Sequence, residues 1–595
     1  VRSRRGKDHE GGGMQYSKLS PTLTQALDDY HEQGRRGLAA HVPTMGLVTA
    51  VEESPRPARV VAFVHCDEDL PRDAFAHLGV ELNSDTGRVR TGIVPLDALD
   101  ELTESEAVER VVPAGRLDAL MDVAGPAVGV PVLHAGGLTG QGVIVGIVDT
   151  GIDVKHPAFE GRVLRVWDQT LPGPGVPEGE YGAEFTGPLM QVAQDTEGHG
   201  THVAGIAAGA DPNFLGVAPG ADIVMVKSDL LTAHIADGIR YLFRVADDLG
   251  RPAVVNLSLG GHGDAHDGTD SLSAIIDALS GPGRIVCCAA GNEGNDNIHA
   301  QVDVNDGSRR TISCIVAVPP PGQATLATFN GWYEGQDRME VAMVSPSGTS
   351  TPYQPVITEG SPSRTYPLPD GSVRIVTPGP DPANGDHSFL VLVASAPPPN
   401  TPRPQSWKLK IKGTDVTDGR VDVWTVRSRT AIFSGGAVKD SVKVGAPGCA
   451  MSAVTVASYT TRNWWDDLVG GGPHETGEEL DDISSFSSEG PRRDGVRKPD
   501  VAAPGSVIVS AMSSHAQVPP TLMKDAWSMV MQGTSMACPF VAGLIALLLE
   551  KDPKLDPDGV KALLTVNASI PGKAEGTWDP KWGYGLIKAD GLSED

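Results

Sequence analysis

Three short stretches carry an acid, an imidazole and an alcohol in settings that suit nucleophilic catalysis. Asp149 ends the apolar run in IVDTGID, where Gly151 permits a tight turn that leaves the carboxylate at a sheet edge. His199 lies in DTEGHGTHVAGIAAG, among small residues that allow close packing of a helix N-terminus. Ser535 lies in QGTSMACP, just ahead of the apolar run LIALLLE. A free hydroxyl is almost never ionised, so a serine nucleophile needs a base. Histidine is the side chain best suited to that task at neutral pH, and a carboxylate on its other nitrogen fixes the tautomer and stabilises the imidazolium.

The stretch GTSMACPFVAG predicts a buried helix with Ser535 at its entrance. Small residues open it, Pro539 fits a first turn, and the following residues are apolar all round. Unpaired backbone N–H groups and the positive dipole end would then stabilise negative charge developing nearby. An ordinary N-cap serine would look the same from this stretch alone, so partners elsewhere must decide. AAGNEG places Asn292 in a glycine-flanked loop after a buried strand, where its side-chain amide can donate to an oxyanion. The backbone N–H of Ser535 would supply the second donor.

Two rival chemistries use the same residues. His199 and His202, three apart on a helix, could bind a metal, but no third ligand sits at usable spacing. Two DTG triplets, at Asp85 and Asp149, invite paired carboxylates sharing a proton. The first follows polar ELNS and reads as hairpin turn chemistry.

The elements that must position these residues follow from hydrophobic period. After Ser20-Pro21 a helix runs through TLTQALDDYHEQ. ARVVAFVHC reads as a strand, PRDAFAHLG as a helix, SDTGRVRTGIV as a hairpin, LDALDELTES as a helix and VERVVPA as a closing strand. That order suggests a small α+β unit of the split βαβ, ferredoxin-like type. From GVIVGIVDTGID onward, Val/Ile-rich strands alternate with helices, which predicts an α/β domain whose parallel sheet is covered on both faces. Sites in such sheets form beyond the carboxyl ends of the strands, where DTG, NLSLGG and AAGNEG lie. After Asn297 helices give way to short strands with Pro/Gly-rich turns, the spacing of a β-sandwich or jelly roll. Strand-and-helix grammar resumes at DSVKVGAPG, so this block is an insertion. The expected divisions are a disordered leader at 1–20, helix and linker at 21–57, the α+β unit at 58–115, the α/β domain at 116–297 and 441–595, and the insert at 298–440.

At 595 residues the chain is too long for one ordinary core. A formal net charge of −27 argues against nucleic acid or anionic membrane as the main partner, and no apolar window is expected to reach the length of a membrane span. Neither the first residues nor those after Met14 have the apolar centre of a secretory signal, which favours an intracellular protein over an exported one. The six cysteines are scattered without metal or scaffold spacing and are expected to be reduced and mostly buried, with Cys287 and Cys288 in a strand.

Taken together, DTGID at 149–153, HGTHVAG at 199–205, NLSLGG at 256–261, AAGNEG at 289–294, FSSEGPRRDGVRKPDVAAPG at 486–505 and GTSMACPFVAG at 533–543 resemble the subtilisin-like serine proteases, or subtilases, which also carry Asp, His and Ser in this order. The resemblance implies a serine endopeptidase with Asp149, His199 and Ser535 as triad and Asn292 in the oxyanion hole. It implies that NLSLGG pairs with extended polypeptide substrate, with Leu257, Ser258 and Gly260 lining the specificity pocket and Gly445 of KVGAPG at its far wall. Small residues there predict a roomy apolar pocket and tolerant cleavage after large apolar residues. The α+β unit sits where subtilases carry a propeptide that assists folding and then blocks the cleft as an intramolecular inhibitor. Self-cleavage of this zymogen is expected between about Val111 and the strand at Gly142, in turn-rich sequence such as AGPAVGVP. The insert resembles jelly-roll domains inside some subtilases, including bacterial spore-germination proteases. The chain departs from the family in two places. The loop GADPNFLGVAP offers only Asp211 and Asn213 toward the calcium that many subtilases hold, so no cofactor is expected with certainty. Cys538 replaces a serine common in the family, and packing is its expected role. A monomer is expected, and the alternative to an enzyme is a pseudoprotease that binds partners through the propeptide or jelly-roll surface.

Overall fold

The computed structural model describes residues 14–15, 18–19, 21–40, 47–48, 57–82, 88–113, 121–317, 324–396 and 405–593. The chain divides into two compact units, Val1–Asp118 and Ala119–Asp595. The first holds an antiparallel sheet in which the strands Val108–Pro113, Arg59–Cys66, Val89–Pro95 and Glu81–Leu82 are neighbours in that order, the split βαβ arrangement. Helix Leu99–Glu104 precedes the closing strand, and helix Pro21–Gln33 contributes Leu23, Ala26 and Leu27 to the same core. The helix expected in PRDAFAHLG is instead a run of turns with one 3-10 turn, Ala76–Leu78, ended by left-handed Gly79. The segment is too short and too exposed to repay helix nucleation. The first DTG triplet, at Asp85, and most of the expected leader lie outside the described residues.

The second unit is built on a ten-stranded sheet. At its centre, strands Val501–Pro504, Val454–Tyr459, Arg284–Ala289, Ala253–Leu257, Ile144–Asp149, Asp222–Lys227 and Val163–Asp168 lie side by side and parallel. Alternate side chains of one strand serve opposite faces. Val145 and Ile147 join helices His199–Ala208 and Thr534–Lys551 in one core, whereas Ile144 and Val148 join helices Thr232–Leu249 and Ser271–Leu279 in the other. All six cysteines are buried and free, and Cys287 and Cys288 share a strand.

Two expectations give way here. Helix Thr534–Lys551 is long and apolar enough by composition to cross a bilayer, contrary to the reading of the sequence, but 83% of it is buried inside the unit. The stretch AGPAVGVP, expected to be rich in turns, is helical instead: helices Met121–Val128 and Val130–Ala135 cover it, because Ala124, Val128, Val130 and Leu133 pack into the core. Residues 114–120 lie outside the described residues.

Between His299 and Ser434 the chain forms an antiparallel sandwich of a six-stranded and a four-stranded sheet. Strands His387–Ser395 and Gln405–Asp415 alternate buried and more exposed side chains, and Phe329, Phe389, Trp407 and Phe433 belong to the core between the sheets.

Candidate active site

Asp149 is the last residue of a strand in which every residue is buried. Its Oδ1 accepts from Thr150 N–H at 2.7 Å and lies 2.7 Å from His199 Nδ1. A carboxylate only accepts, so His199 Nδ1 carries the proton and the neutral ring presents a lone pair at Nε2. Burial would push the His199 pKa down, but the charge and hydrogen bond of Asp149 outweigh it and hold the imidazole above its ordinary value.

His199 opens helix His199–Ala208, whose preceding residue, Gly198, has no side chain to cap it. The buried Asp195 performs that task instead. Its Oδ1 accepts from Gly198 N–H at 2.8 Å and Thr150 Oγ1 at 2.9 Å, and its Oδ2 from Thr201 N–H at 2.9 Å and Thr201 Oγ1 at 2.7 Å. One carboxylate thus ties the turn after Asp149 to the helix that carries His199. The approach is close: a Cβ at Gly200 would stand 2.2 Å from Gly151 O. His202 is turned elsewhere, its Nε2 at 3.2 Å from Ile508 O and 3.1 Å from Met529 O, and burial pushes its pKa down to about 3.

Ser535 is the second residue of helix Thr534–Lys551, with Gly533 at the cap position, so the N-cap reading does not apply and Pro539 stands inside the helix rather than in its first turn. Proline has no N–H to give to the carbonyl four residues back, which is that of Ser535. The freed carbonyl accepts from Ser258 Oγ at 2.9 Å. Ser535 Oγ in turn donates to Ser258 O at 3.2 Å. Among the described residues it makes no hydrogen bond to His199, although both side chains line one cavity of about 640 Å3. Asn292 borders the same cavity. Its Oδ1 accepts from Thr534 N–H at 2.8 Å and Thr534 Oγ1 at 3.0 Å, which assigns the amide orientation and leaves Nδ2 as a donor.

The subtilase family model matches residues 140–366 and 392–585, more than half of the chain. The chain belongs to the subtilase family. It is similar to the subtilisin-like protease PopC of Myxococcus xanthus, 34% identical over 189 residues that make up 29% of this chain and 37% of that protein. The serine protease AprX of Bacillus subtilis is 32% identical over 174 residues, 28% of this chain and 36% of that one. The matches therefore span little more than a third of these relatives. Among solved structures, the Clostridium perfringens CspB protease superposes with a TM-score of 0.64 at 25% identity, over 79% of this chain and 97% of that one.

In this subtilase a second cavity, of about 200 Å3, adjoins Ser535 and Asn292. Ser258, Gly260 and Gly445 line it. Leu257 does not: it is fully buried at the end of strand Ala253–Leu257 and packs in the sheet core, because its side chain faces helix Thr232–Leu249 rather than the strand edge. Nor is the lining the apolar one expected, since His262 and Glu293 contribute to it. Sequence reading missed both, together with Asp195 and Thr534. The available signals were the acid four residues before His199, the glutamate beside Asn292, and HGDAH directly after NLSLGG. On the other side of Ser535, the larger cavity is bounded by Trp465, Glu475 and Glu478.

The calcium site for which the sequence offers no clear ligand set gains none at Asp211. Its Oδ1 accepts from Asn213 N–H at 2.7 Å and Phe214 N–H at 3.1 Å, so the carboxylate closes its own turn, and two such side chains do not fit an ion that takes about 6–8 oxygens. Cys538 is fully buried and packs in the core.

Proposed function

We propose that this subtilase is a serine endopeptidase working through an acyl-enzyme. Asp149 holds His199 with Nε2 free to take the Ser535 proton as Oγ attacks the scissile carbonyl. The oxyanion that forms is met by Asn292 Nδ2 and the Ser535 backbone N–H, donors held in place before the reaction begins. His199 then returns the proton to the leaving amine, and water repeats the sequence on the ester. Substrate lies extended along Ser258–Gly260, where main-chain hydrogen bonds give affinity without demanding one sequence. Asp195 and Thr534 are positioning residues, acting through His199 and Asn292.

The observation that carries this reading is the 2.7 Å contact between Asp149 and His199 at a cavity shared with Ser535 and Asn292. A serine-directed phosphonate should label wild type at Ser535, and Ser535→Ala should abolish both labelling and cleavage of casein. A second reading, a binding protein on a subtilase scaffold, draws on the Ser535 hydroxyl being bonded to Ser258 O rather than to His199. It predicts no labelling and no cleavage by either protein.

The N-terminal unit fits a propeptide in size and strand order. Self-processing would then remove it in wild type and not in Ser535→Ala, which N-terminal sequencing of both purified proteins decides.

A further inference from the structure

Asn292 stands in a stretch that is neither helix nor strand, between strand Arg284–Ala289 and strand His299–Asp303. A donor held ready for an oxyanion therefore depends on what fixes this loop from outside. Residues 486–490 run beside it. Gly294 N–H donates to Phe486 O at 2.8 Å, Ser488 N–H to Gly291 O at 3.0 Å and Glu293 N–H to Ser488 Oγ at 3.1 Å.

The same stretch, one step further on, holds the chain that leads to the far side of the smaller cavity. Lys443 N–H donates to Glu489 O at 2.7 Å and Val442 N–H to Gly490 O at 3.3 Å. Two residues later Gly445 lines that cavity together with Asn292. Gly261 N–H donates to Ala446 O at 3.0 Å, so the Ser258–Gly260 edge is joined to this chain as well.

Lys443 closes the arrangement with its side chain, which is fully buried. Its Nζ donates to Gly294 O at 2.7 Å and to Asp440 Oδ1 at 3.0 Å, and pairs with Glu489 Oε2 at 3.4 Å. Three acceptors thus surround an ammonium that has three protons. Glu489 is buried too, and its other oxygen meets the exposed Lys581 at 3.1 Å. Of the three contacts of Lys443, the one to Gly294 reaches the loop, two residues from Asn292.

We propose that Lys443 is a positioning residue for the oxyanion donor: by holding Gly294 O it fixes the loop from which Asn292 reaches the cavity. The inference rests on the endopeptidase reading above. A buried ion pair is a poor source of stability, because taking both charges out of water costs about what their attraction returns, and an apolar side chain of similar volume would fill the space as well. What an apolar side chain lacks is a donor for the carbonyl, and a charge-assisted bond there is short and directional. Loss of the Asn292 amide itself, about 10^2- to 10^3-fold in kcat, sets the upper limit of the effect. The bonds to Phe486 and Ser488 remain when Lys443 is changed, so the loop shifts rather than unravels and the expected loss is smaller, about tenfold.

Steady-state kinetics on one peptide and hydrogen exchange by mass spectrometry test this on the full chain. Lys443→Met should lower kcat about tenfold and change KM by less than about twofold. Lys443→Met/Glu489→Gln also removes the carboxylate left short of a partner, should fold even where the single variant does not, and should show the same loss. In an Asn292→Ala background either change should cost less than about twofold, since the donor being positioned is gone, whereas general loosening would cost as much as before. Backbone amides of residues 290–296 should exchange about tenfold faster in the variants, with those of helix His199–Ala208 unaltered. Unaltered kcat or unaltered exchange in a folded variant, or a tenfold loss that persists without Asn292, overturns the proposal. Faster exchange in a protein whose wild type cuts no peptide would sink the endopeptidase reading and keep Lys443 as the anchor of the loop. Cleavage with neither kcat nor exchange altered would do the reverse, and no cleavage with unaltered exchange would sink both.

Discussion

In strand Ile144–Asp149 every residue is buried, whereas in His387–Ser395 of the sandwich buried residues alternate with half-exposed ones. A parallel strand covered on both faces has to be apolar throughout, so polar chemistry is confined to its ends. Asp149, Ser258 and Asn292 each stand at or just past the carboxyl end of such a strand. The sandwich faces water on its outer sides, yet it too buries polar groups. Asn330, Trp424 and Asp386 are directed at the 262–267 loop and at Arg493, which grips that loop, rather than at any reacting atom. The comparison teaches a division of labour: the sheet ends position the groups proposed to react, and the sandwich positions a wall of the cavity beside them.

That division is broken most directly by substitutions whose cost falls on the wrong side of it. Ser535→Ala should lower kcat by about 10^6-fold, since in the proposed mechanism the nucleophile and its base act as a unit. Asp149→Asn should lower kcat by about 10^4-fold with the fold intact, because the amide favours the wrong tautomer of His199. Asn292→Ala should cost about 10^2- to 10^3-fold in kcat with little change in KM, since its donor matters once the oxyanion forms. Steady-state kinetics on one peptide measures all three.

The pH profile sharpens the same picture. His199 must be neutral to act as base, and Asp149 holds its pKa above the ordinary value. Activity should therefore fall as pH drops through that raised value, giving an acid limb above the ordinary histidine pKa of about 6.5. An acid limb below that value would mean that the Asp149 contact does not govern the base. In the sandwich, Asn330→Ala strips two buried carbonyls of a donor, a cost of about 1–3 kcal/mol in stability by denaturant titration. Its effect on kcat should be small beside those above. A loss matching that of Asn292→Ala would erase the distinction between the two regions.

How much of this could be read from the chain alone differs by element. Asp149, His199, Asn292 and Ser535 sit in local settings of strand end, helix start and glycine turn, and such settings are written in a few adjacent residues. The Val/Ile-rich runs likewise announced a two-faced sheet, although strand Val163–Asp168 was missed because VLRVWD mixes polar and apolar residues. AGPAVGVP was read as turn-rich because Gly and Pro punctuate it, while the packing of Ala124, Val128 and Leu133 overrides that local preference. Leu257 was assigned to the pocket from its position in NLSLGG, but which face of a strand end meets the cavity depends on the helix packed behind it.

Composition, period and short motifs were enough to determine the α/β grammar and the added β block and to nominate the groups proposed to react, because each is a property of neighbouring residues. Tertiary structure alone decided that Asp195 caps the His199 helix, that Ser258 takes the carbonyl freed by Pro539, and that His262 and Glu293 meet in the pocket. Those partners are separated along the chain or reach each other across loops, and the direction of a hydrogen bond or the charge of a buried pair exists only once both ends have been brought together.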